Sequence, residues 1–122
     1  MRIEVRLLAL LLLPTALLAQ SPAPAVRPIP PPGIHVPDAD RAELEAGVTA
    51  LADAIEKARK ERWRKGDVQM LALLPDLQIF HKAVDWALRY DEFFDPKDFT
   101  AGKELLGIGM QRAKDWGEGK AP

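Results

Sequence analysis

The clearest pattern in this chain is an apolar residue at every third or fourth position after residue 40. The positions that share this stripe are Leu44, Val48, Leu51, Ile55 and Ala58. Such spacing predicts an amphipathic helix with one face turned to a core. Asp40 followed by Glu43 has the form of a capping box, so the predicted first residue is Asp40. Gly66 is predicted to end the helix.

A second helix is predicted from Pro75 and Asp76, which suit a first helical turn. One face of this helix carries Leu77, Phe80, His81, Val84 and Leu88. Further apolar positions widen that face, namely Ile79, Ala83, Trp86, Ala87 and Tyr90. We therefore expect this helix to be buried on more than one side and to form the centre of the core. Periodicity does not assign the short apolar run before it, residues 68 to 74.

The pair Asp95-Pro96 predicts the start of a third helix, with Phe93 and Phe94 as packing anchors just upstream. Its apolar face carries Phe99, Leu106, Met110 and Ala113. Three glycines in this segment, Gly102, Gly107 and Gly109, each weaken a helix by about 1 kcal/mol relative to alanine unless they permit a close approach. The residues after Trp116 are polar and rich in glycine, as at the start of a linker.

These patterns predict an all-α fold, a small bundle of about three helices over residues 38–122. The chain has no cysteine, so disulfide bonds and thiolate metal sites are excluded and stability depends on packing. A region of this size supports one modest core.

The first nineteen residues have the three parts of a signal peptide: Arg2 and Arg6, then an apolar run, then Ala19 before the cleavage site. The alternative is an uncleaved membrane anchor, but Pro14 interrupts the run short of the roughly 20 residues that span a bilayer. We therefore expect export to the periplasm or medium, with no stable membrane span after cleavage.

Seven prolines between residues 20 and 37 predict a disordered, extended tether. Its segment from Pro28 to Pro31 could also be a ligand for an aromatic groove, although a spacer is the simpler interpretation. Removal of the signal leaves 15 basic and 17 acidic residues, a balance that argues against general nucleic-acid binding.

Two charged clusters allow a functional and a structural interpretation. The basic run from Lys57 to Lys65 contains Trp63, as in contacts with anionic surfaces. Glu56 and Glu61 lie four residues before a lysine in the same segment, which favours a solvated helix end. The acidic cluster Asp91, Glu92, Asp95 and Asp98 lacks the spacing of an EF-hand loop, so capping of the third helix explains most of it.

The chain has few side chains suited to catalysis. It contains one serine, Ser21, so it cannot supply a serine triad. The candidates for a metal or acid-base site are His81 and Asp85, whose spacing places them on one helix face, with Asp76 as the only further carboxylate nearby. The alternative is a structural histidine. We predict no catalytic residue and no cofactor in this chain.

The stretch from Leu73 to Leu88, followed by Tyr90-Asp91-Glu92-Phe93-Phe94, resembles the N-terminal helical region of large exported bacterial α/β-hydrolases of the prolyl-oligopeptidase and esterase type. The Pro-Pro-Gly-Ile opening at 31–34, the helix from Asp40 and the final Gly-Lys-Ala-Pro at 119–122 also fit that front end. The resemblance implies a non-catalytic region that precedes a hydrolase domain. It carries no catalytic residue over to this chain.

The expected function is therefore that of a helical accessory region of an exported serine hydrolase, with the α/β-hydrolase domain in cis as its partner. The alternative is a free-standing periplasmic or secreted module that binds another protein. An enzymatic function through His81 and Asp85 is a third hypothesis.

Overall fold

The computed structural model describes residues 31–121, which form three long helices and one short helix. Their bounds are Asp38–Arg64 (α1), Val68–Ala72 (α2), Leu74–Arg89 (α3) and Lys97–Gly117 (α4). No strand occurs among these residues, so the predicted all-α bundle is confirmed. The short helix α2 occupies the run that periodicity left unassigned. The predicted signal peptide and residues 20–30 of the predicted tether lie outside the described residues.

Helices α1 and α4 run parallel and share the most extensive interface of the fold. Gly102 of α4 faces Leu44 of α1, and Gly109 faces Leu51, so the residue numbers rise together along both helices. Helix α3 is antiparallel to α4, because Phe80 of α3 lies against Gly109, whereas Phe93, just beyond the end of α3, lies against Gly102 earlier in α4. The parallel arrangement places both C-terminal helix ends at one pole of the bundle.

The core lies mainly between α1 and α4, with α3 covering one side. Its buried apolar residues are Val36, Leu44, Leu51, Ile55, Ala58, Leu77, Val84, Leu88, Phe93, Phe99, Leu106, Ala113 and Trp116. Trp116 is the largest fully buried side chain, and its indole Nε1 donates to the Met70 carbonyl at 3.0 Å. The predicted α1 stripe is confirmed, with Val48 half-buried. On α4, the predicted core residue Met110 is instead 40% exposed.

The expectation that the second helix forms the centre of the core is wrong. Helix α3 buries Leu77, Val84 and Leu88 on a single face. Ile79 and Trp86 point into solvent because α1 and α4 pack against each other and leave only one side of α3 covered.

The predicted capping box at the start of α1 is also wrong. The helix begins at Asp38 after Pro37, and no side chain caps its N-terminus. The carboxylates of Asp40 and Glu43 instead accept from Lys103 Nζ, which lies 2.8 Å from Asp40 Oδ1. These two partners raise the pKa of Lys103. The parallel α4 brings this lysine beside the first turn of α1, a contact that local sequence does not encode.

Capping accounts for only part of the acidic cluster at the start of α4. The N-cap residue is Pro96, which has no side-chain cap, and Asp91 pairs with Arg41 of α1 instead. Two of the four acids accept from backbone amides around the helix start. Asp95 Oδ1 accepts from the Lys97 amide at 2.8 Å, and Asp98 Oδ2 accepts from the Phe94 and Asp95 amides at 2.9 Å. These two amide donors lower the pKa of Asp98. Phe93 is buried, as expected of an anchor, whereas Phe94 is about half exposed. The cluster therefore fixes the turn that leads from α3 into α4.

The connection from α1 to α3 contains a further cap. Gly66 has a φ of +65°, a conformation in which glycine ends a helix without steric strain. Asp67 then caps α2 by accepting from the Met70 amide at 3.2 Å. Helix α3 begins at Leu74 with Pro75 in its first turn, close to the predicted start.

The last residues of the predicted tether pack against the helices. Val36 is buried, and the Ile34 amide donates to the Phe93 carbonyl at 2.7 Å. The disordered tether predicted over 20–37 therefore does not extend through residues 34–36. None of the helices between residues 31 and 121 has both the length and the apolarity that crossing a bilayer requires.

Candidate functional site

The two predicted metal or acid-base candidates, His81 and Asp85, lie on α3 beside α1. The Asp85 carboxylate accepts from the Arg89 guanidinium at 2.9 Å. His81 is half-buried and lines a shallow recess with Ile55 and Gln78. No hydrogen bond joins the two candidates, and no group of three His, Asp or Glu side chains in residues 31–121 is arranged so that it could hold a metal ion. Asp85 therefore forms a surface ion pair with Arg89 on its own helix.

The basic run at the end of α1 is largely neutralised by its own glutamates. Glu56 pairs with Arg59 at 2.7 Å and with Lys60 at 3.5 Å, and Glu61 pairs with Arg64 and Lys65. The hydrogen bond from Arg59 lowers the pKa of Glu56 to about 2, with Lys60 contributing. Most of the run therefore forms the solvated helix end that the charge pattern favoured, with Trp63 exposed beside it.

Arg62 is the exception in this basic run, because only 7% of it is exposed. Its guanidinium donates to the carbonyl oxygens of Trp116, at 3.1 Å, and Gly117, and it pairs with Asp67 at 3.3 Å. A cation at this place also offsets the negative end of the α4 dipole. Sequence reasoning grouped Arg62 with the solvated cations, since no local signal marks a contact with residues 54 positions away.

The largest apolar side chains on the surface of α3 form one line, which we name the α3 stripe. Its members are Ile79, Ala83, Trp86 and Tyr90, and all four are exposed. The exposed fractions of the three large side chains are 62% for Ile79, 53% for Trp86 and 61% for Tyr90. At about 100° per residue, the stripe spans an arc of about 60° on the side of the helix opposite its buried face.

The α3 stripe is a preformed surface with its own internal contact. The Trp86 and Tyr90 rings meet edge to face, with centroids 6.5 Å apart and an interplanar angle of 83°. Lys82 and Arg89 flank one side of the stripe, and Phe94 lies exposed beyond the end of the helix. A contiguous exposed apolar patch with aromatic members and a polar border is typical of a protein-binding surface.

Every member of the α3 stripe was recognised in the sequence as an apolar position, but all of them were predicted to lie in the core. The signal was present as two apolar faces on one helix, and only the packing of α1 with α4 shows which face is covered. No family model, curated protein or solved structure matches this chain, so its own surfaces are what point to a function.

Proposed function

We propose that residues 31–121 are a non-catalytic helical docking domain that binds another protein surface through the α3 stripe. The observation that carries this proposal is the exposure of Ile79, Trp86 and Tyr90 on one line of a well-packed helix. The proposed partner is a serine hydrolase domain of the same polypeptide. Its identity rests on the resemblance of residues 73–94 to the front end of exported α/β-hydrolases.

The size of the stripe suits the centre of an interface. At about 200 Å² per large side chain, the exposed fractions of Ile79, Trp86 and Tyr90 correspond to about 350 Å². That is roughly half of the 800 Å² that one partner contributes to a standard interface. Tryptophan and tyrosine are also enriched among the residues that dominate binding energy. A partner with a complementary apolar surface would therefore gain most of its affinity here.

The second candidate is a free-standing module that binds a separate protein through the same stripe. The completeness of the core favours this candidate. Trp116 and Leu44 are fully buried, and each buried side-chain nitrogen or oxygen in the described part of the chain has a hydrogen-bond partner. A domain that folds independently has a hydrophobic core of its own with its buried polar groups hydrogen-bonded, and residues 31–121 have both features.

The test measures whether a partner covers Trp86. Trp116 is buried and Trp63 is exposed, so a Trp63→Phe variant has Trp86 as the exposed indole among residues 31–121. Acrylamide should quench its fluorescence strongly in this chain and weakly when the chain is part of a protein that contains a hydrolase domain. Equal quenching in both would contradict docking through the stripe.

Reading the gene beyond the codon for Pro122 separates the two candidates. An in-frame catalytic domain with a nucleophile elbow supports the partner in cis, whereas unrelated sequence after a stop codon supports the free-standing module. The chain itself should not hydrolyse a simple ester, and turnover by the purified chain would contradict a non-catalytic role. Replacing Trp86 and Tyr90 by alanine should abolish docking, and Trp63→Ala is the matched control.

A further inference from the structure

A second surface of the bundle, on the side of the α1–α4 pair away from α3, is a groove of about 390 Å³. Its floor consists of Ala54 and Ala58 from α1 and of Met110 and Ala113 from α4. The floor is apolar because these side chains carry no polar group, and it is recessed because three of the four are alanines. The groove runs about 15 Å from Ala54 to Arg64, given a rise of 1.5 Å per residue.

Two lysines, Lys57 and Lys114, border this groove from opposite helices. Ala58 lies against Gly117, so residues of the parallel helices that differ by about 59 in number are level, and the two lysines lie near the same height. Two cations on either side of an apolar floor create a local positive potential.

Most of the other cations near this end of α1 and α4 are held in ion pairs, whereas the Arg112 guanidinium lies over the Phe80 ring. In the described part of the chain, every other cation of the basic run has a carboxylate within 4.0 Å, as does Lys120. No carboxylate of residues 31–121 lies within that distance of Lys57 or Lys114. The one acid on the rim, Glu61, is already paired with Arg64 and Lys65, which lower its pKa.

We propose that this groove binds a single-chain anionic amphiphile, a fatty-acid anion of medium length. Its carboxylate is held between Lys57 and Lys114, and its alkyl chain lies on Ala54, Ala58, Met110 and Ala113. The apolar floor excludes a small inorganic anion as the preferred ligand, since such an ion would leave the floor uncovered. The two level ammonium groups exclude a cationic amphiphile by like-charge repulsion.

This inference is independent of the proposed docking function, because no residue of α3 lines the groove. The test uses the purified protein, labelled with ¹⁵N, and decanoate below its micelle concentration as the probe. The expected result is saturable shifts of the amides of Ala54, Ala58 and Ala113, with no shift at Trp86. Decanol, which has the same chain without the charge, should bind at least tenfold more weakly.

The charge contribution is tested by substituting both lysines. Lys57→Glu with Lys114→Glu should weaken decanoate binding at least tenfold and leave the remaining amide spectrum unchanged. Lys82→Glu, at an exposed lysine on α3, is the matched control and should bind decanoate as the wild type does.

Three results would overturn the proposal. The first is equal binding of decanol and decanoate, and the second is decanoate shifts confined to the α3 stripe. The third is a dimer by analytical ultracentrifugation in which the groove amides are already covered, because a second copy of the chain would then be the occupant.

Discussion

Gly109 and Gly107 lie two residues apart on α4, and substituting each by alanine should change stability in opposite directions. A Cβ on Gly109 would lie 2.7 Å from Leu51 Cδ2 and 2.8 Å from Phe80 Cβ. A Cβ on Gly107 would meet no atom within 4 Å. Carbon atoms are in optimal contact at about 3.5–4.0 Å, so a methyl group at position 109 forces its neighbours to move by nearly 1 Å.

The two neighbours of Gly109 differ in how easily they can move. Leu51 Cδ2 is the end of a side chain and can turn away. Phe80 Cβ is bonded directly to the backbone of α3, so relieving that contact requires a shift of the whole helix. Overpacking of this kind destabilises a protein by about 1–3 kcal/mol.

Both substitutions gain the same intrinsic preference of alanine for the helix, about 1 kcal/mol over glycine. We therefore expect Gly107→Ala to stabilise the fold by about 0.5–1 kcal/mol. Gly109→Ala should be about 1–3 kcal/mol less stable than Gly107→Ala, because the propensity gain cancels in that difference and only the strain remains.

Urea denaturation followed by circular dichroism measures both free energies of unfolding. The urea dependence of stability should be the same for the two variants, which would show that the denatured state is unchanged. Adding Leu51→Val should rescue Gly109→Ala only in part, since the contact with Phe80 remains. Equal stability of the two alanine variants would refute the close packing of α4 against α1 and α3.

Three further predictions concern charged contacts. Arg62→Met should lower the free energy of unfolding by about 1.5–3 kcal/mol, because the last carbonyls of α4 lose the charged donor of their hydrogen bonds. Urea denaturation measures this loss, and an unchanged free energy of unfolding would refute the prediction. The Glu56 carboxyl should titrate by NMR with a pKa of about 2, and Arg59→Gln should move it toward the ordinary 4.5. Because the folded-state pKa of Glu56 is lowered, its stabilising effect is present above pH 4.5 and is lost as the pH falls toward 2; added salt should weaken it. In a double-mutant cycle, the changes in the free energy of unfolding caused by Asp40→Asn and Lys103→Met should not add, because the two side chains form an ion pair. Additive changes would instead favour a capping role for Asp40.

Local interactions in the sequence were enough to place the three long helices approximately, but not the short helix α2. Gly66, Pro75 and the pair Asp95-Pro96 mark helix ends because each acts on the backbone within one turn, and the observed boundaries lie within a few residues of the predicted ones. The repeat of Leu44, Leu51 and Ile55 predicted the buried face of α1 for a similar reason. Its opposite face is polar, so only one orientation buries apolar surface.

Helix α3 is different because it has two apolar faces. Leu77 and Val84 lie on one face, and Trp86 and Tyr90 lie on the other. The spacing of apolar residues does not show which of the two faces is buried. Which face becomes the core depends on where the rest of the bundle lies. The parallel packing of α1 and α4 leaves room for α3 on one side only, and this produces the exposed α3 stripe.

The charged residues also divide into those whose partners local sequence predicts and those whose partners only the tertiary structure determines. The sequence paired Glu56 and Glu61 with the cations of their own helix, because those partners lie within one turn. It could not pair Arg62 with the end of α4 or Lys103 with the start of α1, which are separated by 54 and 63 residues. Contacts within one helical turn follow from the spacing of residues in the sequence. The contacts of Arg62 and Lys103 form only because two parallel helices bring distant turns to the same height.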